Sequence, residues 1–442
     1  PLVGWLQALA LEFSDGEFAL RLWPIALSAA TALALYAFAR RLFPREHPWF
    51  GFQAVLVYQS GLLFQVLGLA LVPETPLLLF ALLTMLALLR ALDDDRWRDW
   101  LGFGLCLGLA GLSKYTAVTL TLTTVLFVAL QRGGQALRNP KLWLSLFLAG
   151  FVALLVITPV LFWNAEHDWI SLRYQFGHGF RPKDWEWSRV GLSQLGQLLA
   201  YAPGPYVFGL VALVAGVREW RERGVQLTLA LVIPVLLLFV SGSGREETLP
   251  HWTALAWAGV APLTVRWLRR HGTSRAVRGL GYGSAVYSLL LIVLLYTLLL
   301  NPSLPFPGRH HPLAPLLGWP QAAARATALR AQFAHQEPEA VLLVPNWSLA
   351  SRLAWYARPL PVQVTDTRFD QFDLWFGTPA PGTDGVLVVP DVMLKAGRRV
   401  LALFAECREA EPLPIVAGGK VVVTFHFYLC RDYRGLDSDA AP

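Results

Sequence analysis

The sequence predicts a polytopic, all-α membrane domain followed by a small extracytoplasmic α/β domain. Three observations support this fold class. Apolar segments recur from Phe18 to Asn301, basic residues concentrate in every second connection between them, and the composition changes after Asn301. A hydrophobic fraction of 55%, a charged fraction of 15% and a mean hydropathy of +0.46 exclude an ordinary soluble enzyme of this length.

Ten apolar segments are long enough, or nearly so, to cross a hydrocarbon core that needs about 20 helical residues. They span 18–42, 50–72, 76–92, 99–113, 115–131, 142–163, 195–217, 225–243, 252–268 and 279–301. Arg and Lys are concentrated in the connections after the odd-numbered segments, so the positive-inside bias predicts that these connections are cytoplasmic. The residues after Asn301 then lie outside. We expect a multi-pass protein of the bacterial inner membrane.

The excess of basic residues, a net charge of +7, lies in short loops beside the apolar segments. Anchoring to anionic lipid headgroups explains this distribution better than nucleic-acid binding does. The first residues are predicted to lie outside without an export signal before them. We therefore expect a further membrane helix upstream of Pro1.

The predicted domains are an outer interfacial segment, the membrane domain, a Pro- and His-rich linker and the α/β domain. Their limits are 1–17, 18–301, 302–319 and 320–442. In the last domain, strands are predicted at 340–344, 361–365, 385–389 and 421–429, and helices at 320–335, 348–357 and 395–406. Cys407 and Cys430 both belong to this domain, and the sequence leaves open whether they pair.

Two ionisable residues stand next to apolar segments on the predicted outer face, where a charge is costly and indicates function. Glu74 lies between two prolines, Pro73 and Pro76, and the alternative for it is an acid that only caps a helix. Lys114 is the only charged residue between Asp99 and Gln131, and the alternative for it is a side chain that extends to the membrane interface.

Two outer loops combine aromatic residues with charges of both signs. The first contains Glu166, His167, Asp168, His178 and Arg181. Such a mixture suits a site that holds a phosphate on cations and a polar acceptor on carboxylates. An amphipathic interfacial helix is the alternative, and His167, His178 and Asp168 could also hold a divalent metal, although their spacing has no metal-site signature.

The second loop carries Arg245 and His251 at the start of a helix. The chain has no GxGxxG run after a strand and no P-loop. A transferase that works outside the cytoplasm has no nucleotide sugar available, so it would need a lipid-carried donor.

Four runs of the sequence, in order, resemble those of a known group of enzymes. They are PETPLLLF from Pro73 to Phe80, GLSKYTA from Gly111 to Ala117, FWNAEHDW from Phe162 to Trp169, and the pair Gly318-Trp319. They are similar to runs of the bacterial protein O-mannosyltransferase-like glycosyltransferases, of the dolichyl-phosphate-mannose-protein mannosyltransferase family. This GT-C group includes the aminoarabinose transferases that act on lipid A.

The resemblance implies inverting transfer of a hexosyl or pentosyl group from a polyprenyl-phosphate donor to an outer lipid A, polysaccharide or protein. By the same analogy, His178 and Arg181 lie near the donor phosphate, and Arg245 and His251 supply further phosphate contacts. Lys114 suits the same task. Glu74 stands where the family usually has Asp and supports the acceptor. The family's main acidic motif precedes a Pro-Pro-Leu run, and Pro1-Leu2 resembles the end of that run, so we expect the catalytic base upstream of Pro1.

Two other classes of protein fit part of the pattern. A secondary transporter would have broken helices near the membrane midplane, and Pro203-Gly204-Pro205 interrupts one apolar segment. No repeat accompanies this break. A membrane-anchored binding protein, with the outer domain as its working part, would not need ten crossings.

Overall fold

The computed structural model describes residues 1–180, 184–304, 311–334 and 340–435, without the side chains of Leu137, Phe176, His178, Phe180 and Ala334. The chain folds into two compact units, Pro1–Val293 and Leu294–Pro442. The four domain limits that the sequence predicts stay a prediction.

The first unit is helical, as predicted. Its helices are α1 (Leu2–Leu11), α2 (Glu17–Leu42), α3 (Phe50–Gln59), α4 (Leu62–Leu67), α5 (Glu74–Asp94), α6 (Trp97–Ser113), α7 (Val118–Arg132), α8 (Gly134–Leu137), α9 (Pro140–Glu166), α10 (Ile170–Phe180), α11 (Trp187–Ala200), α12 (Pro203–Arg218), α13 (Arg223–Ser243), α14 (Ala254–His271) and α15 (Arg275–Leu300), which ends in the second unit. Short 3-10 turns, Tyr115–Ala117 and Pro250–Thr253, precede α7 and α14.

Five described helices are long and apolar enough to cross a membrane alone, and a sixth span results if the bent pair α11 and α12 counts as one. The five are α2, α5, α9, α13 and α15. The polytopic helical domain is therefore confirmed, but the other four of the ten predicted segments correspond to helices that are broken, short or less apolar. The segment 50–72, for example, divides into α3 and α4 at Ser60-Gly61.

The core of the first unit surrounds α5. In the most apolar 18-residue stretch of α5, 72% of the residues are buried, against 6% in α9. The surface of α9 exposes Leu144, Phe147, Leu154 and Leu155 instead. Exposed apolar side chains along a helix of this length are typical of a surface that faces lipid. Asn139 caps this helix by accepting a hydrogen bond from the Leu142 amide at 3.1 Å.

Small residues let α6 and α9 approach closely. A Cβ atom on Gly104 would lie 2.3 Å from the carbonyl oxygen of Ala149, and one on Gly108 would lie 2.6 Å from Cβ of Val156. Close backbone approach at small residues is a main source of helix association in membranes, where apolar burial alone does not favour contact.

An ion-pair network joins helix ends on the side of the first unit that carries the Arg- and Lys-rich connections, here called the basic-loop side. The buried Arg266 side chain contacts Glu222 Oε2 at 2.5 Å and Glu219 Oε2 at 3.0 Å. Its guanidinium carbon lies 4.9 Å from the ring centre of Phe43. Since a buried guanidinium needs paired carboxylates, this network holds the end of α14 against the connection between α12 and α13.

The second unit contains a five-stranded sheet in the order β2-β1-β3-β5-β4. The strands are β1 (Val341–Val344), β2 (Val362–Val364), β3 (Gly385–Pro390), β4 (Phe404–Ala417) and β5 (Lys420–Tyr433). β1 pairs in parallel with β2 and β3, whereas β5 is antiparallel to β3 and β4. The helices are α16 (Trp319–Ala334), α17 (Trp347–Ala357), α18 (Gln371–Phe376) and α19 (Leu394–Leu401). The predicted α/β class is confirmed.

Three elements of this unit differ from the prediction. The helix predicted at 395–406 ends at Leu401, and β4 follows it where no strand is predicted. β4 lies at the sheet edge and carries Glu406, Arg408 and Glu409, so it lacks the apolar alternation of a covered strand. The helix α18 is also unpredicted. Cys407 and Cys430 face each other across β4 and β5 and form a disulfide.

The glycine contacts in α6 generate a stability test. We expect Gly104→Ala to lower the melting temperature, because overpacking against the α9 backbone costs about 1–3 kcal/mol. The control is Gly102→Ala on the same helix, where a Cβ would have nothing within 4 Å. This control should be neutral or stabilising by up to about 1 kcal/mol, the difference in helix propensity. Equal melting temperatures for the two variants would contradict the close α6–α9 contact.

Candidate functional site

Three ionisable side chains from distant parts of the sequence meet at one end of the helical unit. Lys114 Nζ donates a short hydrogen bond to Glu74 Oε1 and forms an ion pair with it. Nε2 of His251 lies 3.6 Å from the same oxygen. The sequence predicts function at each residue separately, and the fold brings the three together.

The carboxylate is fixed by the start of α5. Pro73 precedes this helix, and Glu74 is its first residue, where a negative charge interacts favourably with the helix dipole. The neighbouring Thr75 hydroxyl donates to the carbonyl oxygens of Leu67 at 3.2 Å and Ala70 at 3.1 Å. Glu74 is only 3% exposed. A carboxylate so buried requires a cationic partner, and Lys114 supplies it.

Lys114 occupies an extended backbone position between α6 and the 3-10 turn Tyr115–Ala117. Its ammonium lies 5.7 Å from the ring centre of Trp252 and 6.0 Å from that of Phe239. Contacts of a cation with aromatic faces at this range stabilise it electrostatically. The Lys114 side chain keeps 21% of its surface exposed, whereas Glu74 is almost fully buried.

The 3-10 turn that carries His251 rests on a buried hydrogen-bond network. The Tyr201 hydroxyl donates to the carbonyl oxygen of Pro250 at 2.7 Å. Gln197 Oε1 accepts from the Thr253 hydroxyl at 2.9 Å and from the Trp257 indole at 3.0 Å. These partners lie on α11, α14 and the residue that follows α11, so the network fixes the position of the imidazole beside Glu74.

The break between α11 and α12 positions two members of this network. The two helices meet at 114°, and Ala202 between them has a positive φ of 68°. The buried side chains of Gln197 and Tyr201 lie just before the bend. The interruption that Pro203 predicts is therefore present, and it supports the His251 turn.

His251 precedes the apolar segment 252–268, and burial lowers the pKa of its imidazole from the ordinary value near 6.5. The nearby Glu74 carboxylate opposes this shift, and the Lys114 ammonium adds to it. At neutral pH the ring is therefore uncharged, and Lys114 is the cation of this cluster.

The loop that contains Glu166, His167 and Asp168 forms the turn between α9 and α10. Buried Asn164 organises it, because its Oδ1 accepts from the Ser171 hydroxyl at 2.6 Å, which in turn contacts the Tyr115 hydroxyl at 2.7 Å. His167 stacks on Trp163 with ring centres 4.2 Å apart. The carboxylates of Glu166 and Asp168 are exposed. Tyr115, the residue after Lys114, thus connects this turn to the Lys114 segment.

The remaining predicted cations are described only in part. Arg245 is exposed, and its backbone carbonyl accepts from Arg189 at 2.8 Å. Its side chain has no contact with Glu74 or Lys114 among the described residues. The side chain of His178 and the whole of Arg181 lie outside the described residues. In the described part of the chain, no group of three His, Cys, Asp or Glu side chains could hold a metal ion.

Reasoning from the sequence missed the aromatic and hydrogen-bonding surroundings of the three residues. Phe239 lies within a continuous apolar segment, so no local pattern distinguishes it from lipid-facing phenylalanines. Gln197 and Tyr201 carry a weak signal, because a buried amide or hydroxyl in an apolar stretch needs a partner. Trp252 is adjacent to His251 in the sequence, but a tryptophan at the end of an apolar segment is common at membrane interfaces and does not by itself indicate a site.

Comparison with known proteins identifies the fold. Residues 1–163, which include Glu74 and Lys114, match the family model for dolichyl-phosphate-mannose-protein mannosyltransferase. The crystal structure of ArnT from Cupriavidus metallidurans bound to undecaprenyl phosphate is similar over 100% of this chain and 88% of that one, with 16% identity and a TM-score of 0.59. The chain has the GT-C fold. The family model agrees with the resemblance over the first 163 residues, and the structural similarity shows the fold.

The apo structure of the same ArnT gives 14% identity and a TM-score of 0.56, again over 100% of this chain and 88% of that one. No curated protein sequence matches the chain. The GT-C fold therefore rests on the structural likeness, and the family model supports it for the first 163 residues.

The lowered pKa of His251 predicts a pH dependence. The unfolded chain takes up a proton as the pH falls below about 6.5, whereas the folded chain resists it until the lower folded pKa is reached. Neutral His251 therefore contributes stability above about pH 6.5. This contribution is lost as the pH falls from about 6.5 towards the lower pKa of the folded chain. We expect the melting temperature of His251→Gln to fall less than that of wild type between about pH 7.5 and about pH 5.

The control for this experiment is His47→Gln, which changes an exposed histidine on the basic-loop side. It should follow the wild-type pH profile. If His251→Gln also follows that profile, the imidazole does not titrate differently in the folded chain and the buried arrangement is wrong.

Proposed function

We propose that this chain is a membrane glycosyltransferase that moves a sugar from a polyprenyl-phosphate donor to an extracytoplasmic lipid, polysaccharide or protein acceptor. The GT-C fold and the mannosyltransferase match of the first 163 residues support a polyprenyl-phosphate-dependent enzyme of this kind. The related ArnT was crystallised with undecaprenyl phosphate, the phosphate carrier that such a donor leaves behind. We place the protein in the bacterial inner membrane, with the second unit outside.

The observation that carries the proposal is the buried pair Glu74 and Lys114 beside His251. Transfer of a sugar from a phosphate ester leaves negative charge on the phosphate, and fixed cations stabilise that charge in the transition state. The Lys114 ammonium is held by a carboxylate and two aromatic rings, and the Lys114 side chain stays partly exposed. The adjoining His251 imidazole can donate a hydrogen bond to a second phosphate oxygen.

In this arrangement Glu74 acts as a positioning residue. Lys114 donates to its Oε1 atom, so the carboxylate orients the ammonium that would hold the phosphate. Nε2 of His251 lies 3.6 Å from the same oxygen, beyond hydrogen-bond distance, and the Pro250–Thr253 turn positions the imidazole instead. Because it is almost fully buried, it is less suited to receive a proton from an incoming acceptor hydroxyl. The acceptor base that the family resemblance implies, upstream of Pro1, stays a prediction.

Arg245, His178 and Arg181 are proposed as further phosphate contacts, carried over from the family. The loop of Arg245 is fixed by the hydrogen bond from Arg189 and by the amide of Glu186, which donates to the Gly244 carbonyl at 2.8 Å. Its exposed guanidinium is free to approach a lipid-borne anion at the membrane surface. Glu166, His167 and Asp168 are proposed to face the acceptor, and inversion follows from attack opposite the leaving phosphate.

The proposed phosphate binding by Lys114 can be tested by substitution. We expect Lys114→Gln to weaken binding of undecaprenyl phosphate by roughly 10- to 100-fold, because a hydrogen bond to a charged group contributes about 1.5–3 kcal/mol. Binding is measured by quenching of tryptophan fluorescence, since Trp252 lies beside the ammonium. Lys141→Gln is the control, because Lys141 also pairs with a carboxylate, Asp95, at 2.5 Å, but at the other end of α5. Equal affinities for both variants would exclude Lys114 from the phosphate site.

A second prediction separates positioning from direct contact. If Glu74 acts only through Lys114, then Glu74→Gln weakens undecaprenyl phosphate binding in the wild-type background but has no further effect in Lys114→Gln. Such non-additivity is expected for residues in one ion pair and is measured by a double-mutant cycle. Additive losses, in contrast, would assign Glu74 a contact of its own with the ligand.

A further inference from the structure

A charged cavity lies at the opposite end of α5 from Glu74. Its volume is about 520 Å³. It is lined by α2 and its C-terminal loop, by the last turns of α5 and by the start of α13. The lining residues are Ala37, Arg40, Arg41, Pro44, Leu86, Arg90, Asp93 and Arg223. This is the basic-loop side of the first unit, which the positive-inside bias predicts to be cytoplasmic.

The lining of the cavity carries more positive than negative charges. Asp93 is its only carboxylate, and it pairs with both Arg41 at 2.6 Å and Arg223 at 2.5 Å. Arg40 donates to backbone carbonyl oxygens, among them that of His47 at 3.0 Å. Because a carbonyl carries no net charge, the charge of Arg40 is not neutralised. Arg90 has no ion-pair partner among the described residues. The buried Nε of Arg223 also lacks a hydrogen-bond acceptor in the described part of the chain.

The surplus positive charge favours the binding of an anion with several oxygen atoms. A guanidinium presents its donors in a planar fork that matches the oxygens of a phosphate, and several converging arginines favour phosphate over a single carboxylate. With one carboxylate against four arginines, the lining of the cavity carries a surplus of positive charge. An anionic ligand would balance this surplus.

The apolar part of the cavity points to a lipid as the source of the phosphate. Ala37 and Leu86 supply the apolar part of its lining, together with Pro44. Leu33, one helical turn further into the membrane on α2, is 72% exposed. A phospholipid can therefore place its phosphate among the arginines and an acyl chain along Leu33 and Ala37, which a free phosphate cannot do.

We propose that this cavity binds the phosphate headgroup of an anionic phospholipid from the leaflet on the basic-loop side. The site is separate from the proposed donor site. Arg90 and Glu74 lie 16 residues apart on one helix, a distance of roughly 24 Å at about 1.5 Å per residue. The lipid bridges the ends of α2, α5 and α13 and stabilises their packing.

The test uses the full chain, purified in detergent, and follows its melting temperature during titration with three probes. These are dioleoylphosphatidylglycerol, the zwitterionic dioleoylphosphatidylcholine, and glycerol 3-phosphate as a soluble phosphate. We expect only the phosphatidylglycerol to raise the melting temperature and to saturate. Arg90→Gln should raise its half-saturating concentration by roughly 5-fold or more, because juxtamembrane arginines attract anionic headgroups.

Two controls define the result. Arg278→Gln changes an exposed arginine outside the cavity, and Lys114→Gln changes the proposed donor site. Both should respond to phosphatidylglycerol as wild type does. An unchanged response in Arg90→Gln, or an equal response to phosphatidylcholine, overturns the proposal. If glycerol 3-phosphate stabilises wild type but not Arg90→Gln, the lipid is overturned as the source and the site binds soluble phosphates.

Discussion

The proposed donor site depends on the cost of burying the Glu74 carboxylate. A charge that is 3% exposed beside apolar helices must be paired, and the pairing requires Lys114 to leave α6 and reach the start of α5. This need explains the extended backbone between α6 and the following 3-10 turn. It also explains why the ammonium lies against Trp252 and Phe239, which exclude water from one side of the pair. One ion pair therefore fixes the cation that a phosphate would meet.

The break between α11 and α12 supports the same site. A broken helix in a membrane protein suggests an ion or substrate path, as in a transporter, only if freed backbone groups line a cavity. Here the residues at the break, Gln197 and Tyr201, are buried and donate to or accept from Pro250, Thr253 and Trp257. The break thus supports the turn that carries His251, which favours the transferase interpretation over the transporter.

The sequence predicts the class of the fold and the separate members of the site better than their arrangement. Glu74, Lys114 and His251 are noticeable because ionisable residues beside apolar segments are costly, and that signal is local. Their convergence depends on helix packing, which no spacing in the sequence encodes. Phe239 has the same pattern as a lipid-facing residue. The edge strand β4 is missed because its charges resemble those of a surface loop, and the ten apolar segments overcount the helices that can span a membrane alone.

The two ends of α5 differ in how far their cationic side chains are neutralised by carboxylates, and this difference indicates different ligands. At the Glu74 end, one cation is neutralised by a buried carboxylate and enclosed by aromatic rings, so it offers a phosphate little surplus positive charge. Such a contact is weak enough to release a lipid carrier after each transfer. At the Arg90 end, four arginines share one carboxylate, so a bound phosphate loses little by competition. A permanent structural lipid suits the second end, and an exchanging substrate suits the first.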